Sequence, residues 1–367
     1  MTALCIQLLI AFAVSFAVAW AMYPIVLKVA KFKDLYDFSD ARKQNLEKVP
    51  RLGGFCFLPA MLFGLMSLLA YDFLADETEK LVFFSHEART ILFYGLSLSA
   101  IYAAGVADDI SCIRYRTKFA VQAVAAILLI CSGTFIDDLY GVCGINELPT
   151  WVGFGFTVLM VVFIINAFNL IDGIDGLCSS LFILASGIYF FVAWMTDDIL
   201  SMLIAVLSFG ATVPFFRFNM LGRASRGNKL FMGDTGSMTL GLLVTILGMR
   251  AMHSVEHLGE PEVNPVIVAL SPIIIPCFDV LRVYFFRLRH HRSPFLPDRN
   301  HIHHRLMDCG LNARGTLGVL FSGAVVLCVL NFLLSFFLDV NIVLAIDIAV
   351  WLLSTRYLRR RQLKNAE

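Results

Sequence analysis

Apolar runs of roughly 20 residues, enough to cross about 30 Å of hydrocarbon as helices, recur along nearly the whole chain. Eleven can be drawn, near residues 4–27, 54–74, 90–107, 119–136, 151–168, 177–195, 199–216, 236–252, 264–286, 316–338 and 340–357. Polar residues gather in the segments between them, and two separators are very short: Thr196, Asp197 and Asp198, then Asp339 alone. In lipid a spanning segment must satisfy its own backbone hydrogen bonds, which leaves the helix as the element for such runs. The pattern predicts an all-α polytopic membrane protein with about eleven transmembrane helices. The N-terminal run has no basic leader and no clean small-residue cleavage site before Tyr23-Pro24, so it is read as a first span rather than a secretory signal. The longest polar insertions, Lys28 to Gly53 and Arg287 to Gly315, are too short for an independent core. Residues 1–367 are therefore expected to form a single integral membrane domain, with 358–367 as a short basic tail.

Composition agrees with the pattern. Hydrophobic residues make up 59% of the chain and charged residues 16%, and the mean hydropathy is +0.78. An ordinary soluble domain has an apolar share nearer about one half. The net charge of +1 conceals a strong asymmetry, because 26 of the 29 Lys and Arg residues lie after odd-numbered spans or in the tail. Only Lys80, Arg89 and Arg250 lie opposite. The positive-inside rule then predicts a cytoplasmic C-terminus and an outer N-terminus. The opposite face carries Asp76, Glu77, Glu79, Asp137, Asp138, Glu147, Asp197, Asp198, Glu256, Glu260 and Glu262, expected to be solvated loop ends. The nine cysteines follow no framework spacing and mostly lie in spans; Cys131 and Cys143 are the one pair expected to share the outer side.

Metal-ligand residue types gather on the basic side. The third span ends in Asp108-Asp109, adjacent carboxylates that repel unless a cation lies between them. The fifth runs out through Asn166-Ala167-Phe168-Asn169-Leu170-Ile171-Asp172-Gly173-Ile174-Asp175-Gly176, where two Asn three apart share a helix face and two Asp-Gly pairs make sharp turns. Lys229-Leu230-Phe231-Met232-Gly233-Asp234-Thr235-Gly236-Ser237 leads into the eighth span, so Asp234 is expected near a helix N-terminus, where a phosphate or metal is easily held. The ninth loop carries Pro297-Asp298-Arg299-Asn300-His301-Ile302-His303-His304. Its ligand spacing is not that of zinc sites; Arg299 and the imidazoles suit a diphosphate through charge-assisted hydrogen bonds.

These strings, with Arg51-Leu52-Gly53-Gly54, together resemble the polyprenyl-phosphate N-acetylhexosamine-1-phosphate transferases (glycosyltransferase family 4) over roughly residues 30 to 310. Pro-Asp-Arg-x-His-Ile-His-His resembles the bacterial branch that transfers GlcNAc-1-phosphate to undecaprenyl phosphate, rather than the branch acting on UDP-MurNAc-pentapeptide. The resemblance implies a multi-pass enzyme of the bacterial inner membrane that takes a UDP-N-acetylhexosamine and undecaprenyl phosphate, releases UMP and begins a lipid-linked cell-envelope glycan. It implies Mg2+, with Mn2+ as a substitute, held by Asp234 with Asn169. Asn166, Asn169, Asp172, Gly173 and Asp175 would line the nucleotide pocket, with Phe231 near the uracil. Arg299, His301, His303 and His304 would hold phosphates and sugar, and Asp108 and Asp109 would sit at the lipid-phosphate side. No nucleic-acid partner is implied, and a homodimer is compatible.

A phosphate monoester with its second pKa near 6 is mostly a dianion at pH 7, so positioning and charge control are favoured for Asp108 over proton abstraction. Transfer then depends on alignment and electrostatic stabilisation. Asp279 inside the ninth span needs a partner, and Arg282 one turn away is expected to supply it. Two other classes are weighed. An intramembrane aspartyl protease would pair Asp279 with Asp347, and an ion-coupled transporter would place polar residues and broken helices at mid-membrane, whereas the polar groups here cluster at the inner surface.

Overall fold

Helices account for the spans in the computed structural model, which describes residues 2–33, 49–74, 87–256, 263–291 and 300–366. Eleven are long and apolar enough to cross a membrane, and no β-strand occurs among the described residues. The chain is an all-α, multi-pass membrane protein. The elements are α1 Thr2–Phe32, α2 Phe57–Leu74, α3 Ala88–Ser111, α4 Tyr115–Ser132, α5 Thr150–Ile171, α6 Leu177–Met195 and α7 Ile199–Met220. They continue with α8 Gly233–Glu256, α9 Pro265–Leu270, α10 Ile274–Arg289, the short α11 Ile302–Asp308, α12 Ala313–Ser335 and α13 Val340–Ala366.

The expected boundaries shift for local reasons. The fourth span ends at Ser132 rather than 136, because Gly133 takes a left-handed backbone (φ 96°) and its N–H closes on the carbonyls of Ile130 and Leu129. The third runs on to Ser111, so Asp108 and Asp109 lie in its last turn and not in a loop. The ninth, drawn as one run, is broken into α9 and α10 by a 3-10 turn at Ser271–Ile273. Pro272 and Pro276 each lack an N–H and so remove helix hydrogen bonds there. Residues 358–366, expected as a tail, continue α13 as helix.

The eighth span organises the bundle. α8 packs against α3, α5, α6, α7, α9 and the 3-10 turn Gly53–Cys56 that leads into α2, and it is buried over most of its length. Gly236, Ser237, Thr239, Gly241, Thr245 and Gly248 let neighbouring backbones approach closely, as lipid-embedded helices require in the absence of a hydrophobic drive between them. The segment before it runs beside residues 50–54: Phe231 N donates to Pro50 O at 2.9 Å, Gly53 N to Phe231 O at 2.9 Å and Gly54 N to Met232 O at 2.8 Å. This short ladder pins the start of α8 to the chain entering α2.

Of the acidic residues expected as solvated loop ends, Glu147, Asp197 and Glu256 are exposed, whereas Asp198 is enclosed. Asp198 caps α7 through Ser201 N at 3.1 Å and pairs with Arg250 Nη2 at 2.5 Å. Burial opposes its ionisation, but the Arg250 guanidinium, with Ser201, outweighs burial and holds the carboxyl below its ordinary value. Asp137 meets His253 Nε2 at 3.3 Å, and Glu256 accepts from Tyr140 Oη at 2.8 Å. Asp76, Glu77, Glu79, Glu260 and Glu262 lie outside the described residues. Cys131 and Cys143 are both free thiols.

The polar groups weighed for other classes are held apart. Asp279 pairs with Arg282 Nη2 at 2.8 Å, as expected, and also accepts from His301 Nδ1 at 2.8 Å and Ile302 N at 2.9 Å. Asp347 instead accepts from Asn331 Nδ2 at 2.9 Å, and that amide also reaches Ser271 Oγ at 3.1 Å beside the break in the ninth span. The two aspartates of a protease dyad are thus bound to different partners. Asn331, Asp347 and Ser271 do form a buried polar pin joining α12 and α13 to the break in the ninth span, which the sequence pattern did not place.

Candidate active site

A polar cavity of about 370 Å³ opens where α5, α7 and α8 end or begin. Arg51, Asn169, Asp172, Asp175, Phe231 and Asp234 contribute to its wall. Each expected position can be followed there. Asn169, Asp172, Gly173, Asp175, Phe231 and Asp234 all reach the cavity. Asn166 does not: its Nδ2 donates to Gln122 Oε1 and to Val162 O, both at 2.7 Å. One helical turn before Asn169, it faces α4 instead. Arg299 lies outside the described residues.

Asp108 and Asp109 converge with Asp234, which lies more than a hundred residues further along the sequence. One oxygen from each lies within 4.8 Å of the others. Asp109 serves the helix start: its Oδ1 accepts from Asp234 N at 2.8 Å, and its Oδ2 accepts from Thr235 N at 3.0 Å and Thr235 Oγ1 at 2.6 Å. It is an N-terminal cap supplied from α3, satisfying donors that α8 leaves open. Asp108 and Asp234 both meet Lys118 Nζ, at 2.8 Å in the case of Asp108. Lys118, on the first turn of α4, is the cation that keeps the two carboxylates compatible. Asn169 Nδ2 donates to Ser237 Oγ at 2.9 Å, and its side chain also reaches Asp234.

Gly233 makes the approach to α8 feasible. Its φ is 74°, and a Cβ there would press on Arg51 O and the Asp109 carboxylate. Gly233→Ala is therefore expected to cost about 1–3 kcal/mol of local strain and to pull the Asp109 cap off α8. Thermal unfolding in detergent should show a lowered midpoint together with reduced transfer; an unchanged midpoint would contradict the close approach.

The 172–176 turn forms the opposite wall. Asp175 pairs with Lys229 Nζ at 2.5 Å, and that ammonium lies 5.6 Å from the Phe231 ring centroid. Asn219, buried in the last turn of α7, accepts from Gly176 N at 2.6 Å and donates to Leu230 O at 2.8 Å, tying the turn to the strip before α8. Asp172 is pushed up to about 8, by burial first and then by Asp234, Asp175 and Asp109. Four carboxyl groups close to one cavity make it a place that favours added positive charge.

The histidines enter from α11. A Cβ on Gly173 would fall on the His303 ring, so the imidazole lies directly against the turn. Burial, with His304 beside it, lowers His303 to about 3. That favours the neutral imidazole, which can donate or accept. His301 is turned toward Asp279 and stacks on His303 with ring centroids 5.8 Å apart.

Lys118, Lys229 and Asn219 had no assigned role in the sequence reading. Lys118 begins three residues into a helix and Lys229 stands two before Phe231, but neither spacing shows which acid each would meet. Their partners lie across the fold.

Long apolar helices surround an acidic, lysine-bridged cavity, and comparison with known proteins gives the class of this multi-pass membrane protein. Residues 91–252 match the model of glycosyl transferase family 4. The "Decaprenyl-phosphate N-acetylglucosaminephosphotransferase" of Mycolicibacterium smegmatis is 32% identical over 291 residues, covering 74% of this chain and 68% of that protein. The "Probable undecaprenyl-phosphate N-acetylglucosaminyl 1-phosphate transferase" of Bacillus subtilis is 27% identical over 349 residues, 95% of this chain and 87% of that one. The "Undecaprenyl-phosphate alpha-N-acetylglucosaminyl 1-phosphate transferase" of Escherichia coli is 28% identical over 289 residues, 78% and 73% of the two. The chain belongs to glycosyl transferase family 4 and is a phospho-sugar transferase.

Proposed function

We propose that the protein transfers GlcNAc-1-phosphate from UDP-GlcNAc to undecaprenyl phosphate at the cytoplasmic face of a bacterial inner membrane, with Mg2+ as cofactor and UMP as leaving product. The observation that carries this reading is the convergence of Asp108, Asp109 and Asp234 beside a polar cavity at the end of the spans. The names of the relatives support the sugar and the acceptor class. The basic asymmetry of the loops supports the cytoplasmic placement of the site, the C-terminus inside and the N-terminus outside.

The donor set fits a hard divalent cation, which takes oxygen ligands. Asp234 and Asp108 would hold it, Asn169 would orient Asp234, and Asp109 has its oxygens engaged by the α8 backbone. When bound, Mg2+ neutralises charge on the diphosphate of the donor. The remaining work falls to the chain. Lys118 presents an ammonium beside the carboxylates, available to a phosphate oxygen. Arg51 on the cavity wall offers the planar donors that suit phosphate. Phe231, with Lys229 near its ring, provides an aromatic face for a base.

A phosphate oxygen of the acceptor attacks the β-phosphorus of the donor while the bond from that phosphorus to the bridging oxygen breaks and UMP departs. Asp108 acts through Lys118, holding the ammonium that positions and screens the acceptor; the acceptor needs no proton removed, being mostly dianionic at pH 7. Positioning and electrostatic stabilisation then carry the rate.

The test uses purified protein in lipid nanodiscs with undecaprenyl phosphate and a panel of UDP-N-acetylhexosamines. UMP release is expected with UDP-GlcNAc and Mg2+, and chelation is expected to abolish it until Mg2+ or Mn2+ is restored. Release with UDP-MurNAc-pentapeptide alone would overturn the donor assignment, and release that survives chelation would overturn the metal.

A further inference from the structure

A second charged cavity lies beyond the histidine helix, outside the site described above. It measures about 460 Å³ and is bounded by α10, α11 and α13. Arg282, His290, Arg305, Arg356 and Arg359 line it, and among the described residues Asp308 is the one acid on its walls. Among the described residues, Arg305, Arg356 and Arg359 form no ion pair. Arg305 makes only a long contact to Gln362 Oε1 at 3.3 Å, and Gln362 spends its amide on Asp308 at 3.3 Å. Burial, then Arg282 and Arg359, press the Arg305 guanidinium below its ordinary value. Arg282 is already used by Asp279 and Asn300 O through Nη2, but its Nε is buried without a partner.

Such crowding of like charge in a half-closed space is unfavourable unless an anion relieves it. The surroundings specify what kind of anion. The cavity sits at the ends of the ninth and eleventh spans, with Phe286 and Leu363 as apolar members of its wall, Leu363 61% exposed. Arg356 and Arg359 lie three apart on one face of α13, with Arg360, Arg361 and Lys364 following on the same basic helix end. Basic groups at the surface of a bilayer attract anionic lipids by about 1 kcal/mol each. Guanidinium groups match phosphate geometry, and apolar flanks suit acyl chains.

We propose that this cavity is a binding site for the phosphodiester headgroup of an anionic phospholipid, with Arg305, Arg356 and Arg359 as its principal contacts. The site also reaches the active centre's wall. Arg282 holds Asp279, Asp279 holds His301 and the first N–H of α11, and His303 on that helix packs against Gly173. A lipid phosphate seated on Arg282 and Arg305 braces α11 from the side away from the substrate cavity. A membrane lipid thus becomes part of the frame that positions the histidines.

The experiment reads lipid retention directly and so is independent of the donor or acceptor used in catalysis. The full chain in detergent is mixed with dioleoylphosphatidylglycerol or dioleoylphosphatidylcholine, and bound lipid is counted by native mass spectrometry. Wild-type protein is expected to retain one phosphatidylglycerol in preference to phosphatidylcholine. The double variant Arg356→Gln, Arg359→Gln is expected to lose that retention by on the order of tenfold or more, while Arg356→Lys, Arg359→Lys keeps much of it. Both positions are exposed, so neither variant should melt below wild type. Equal retention by the Gln variant and wild type would overturn the site. Displacement of the lipid by millimolar inorganic phosphate would overturn the assignment to a lipid and leave a soluble phosphate as the ligand.

Discussion

Asp234→Asn is expected to lower kcat for sugar-phosphate transfer by about a hundredfold or more while the protein stays folded. The substitution keeps the shape of the side chain and removes its charge. In the native protein that charge faces Lys118 and lies beside Asp108 at the mouth of the polar cavity. Removing one preorganised electrostatic element from a phosphoryl-transfer site typically costs two to three orders of magnitude, about 2.7–4 kcal/mol. The cost to folding is far smaller, because an acidic residue in the first turn of a helix contributes only about 0.3–1 kcal/mol. Steady-state UMP release beside a thermal melt separates the two effects. A loss under threefold in a well-folded variant would remove Asp234 from the reaction.

The second large effect is on stability. Arg250→Ala should destabilise the protein by about 3–5 kcal/mol at neutral pH, since it leaves the Asp198 carboxylate enclosed without its cation. Asp198 and Arg250 side chains are only 10% and 17% exposed, and Ser201 and Ser254 complete the network. The pH dependence follows from the sign of the shift. Asp198 is held below its ordinary value in the fold, so the pair's contribution is full above the unfolded value of about 3.9 and is lost as pH falls through the folded value. The gap in melting temperature between wild type and Arg250→Ala is expected to narrow as pH falls, first as the enclosed Asp198 of the variant, raised by burial once Arg250 is gone, takes up a proton, and further below about 4 as wild type loses the pair. A gap that widens on acidification would mean that Asp198 is not the group concerned.

Asp198 also marks where the sequence alone misleads. A short polar separator between two apolar runs looks solvated, and nothing local connects it with an arginine fifty-two positions later. The spans themselves were legible because the apolar period needed for crossing a bilayer is written locally, residue by residue. Their ends were less so, since Gly133, the left-handed Cys112 that closes α3 (φ 50°) and Pro272 with Pro276 act through backbone geometry that hydropathy ignores.

The candidate site divides in the same way. Asp172, Asp175 and Asp234 were legible because Asp-Gly turns and a Gly-Asp helix start concentrate unusual chemistry in a few positions. Asp109 looked equivalent to Asp108, yet one caps α8 and the other faces Lys118, a distinction made only when α3 packs across the start of α8. Asn166 and Asn169 looked like one face, but the last turn of α5 directs Asn169 to Ser237 and Asn166 to Gln122. His303 looked like a charged phosphate ligand, and burial favours its neutral form.

The most direct measurement of the central claim follows the β-phosphorus itself. UDP-GlcNAc labelled at the β-phosphate is incubated with the protein, undecaprenyl phosphate and Mg2+, and the label is partitioned between organic and aqueous phases. Transfer of GlcNAc-1-phosphate predicts that the label moves into the lipid phase in step with UMP release. Label remaining in water as UDP, with sugar alone on the lipid, would contradict it.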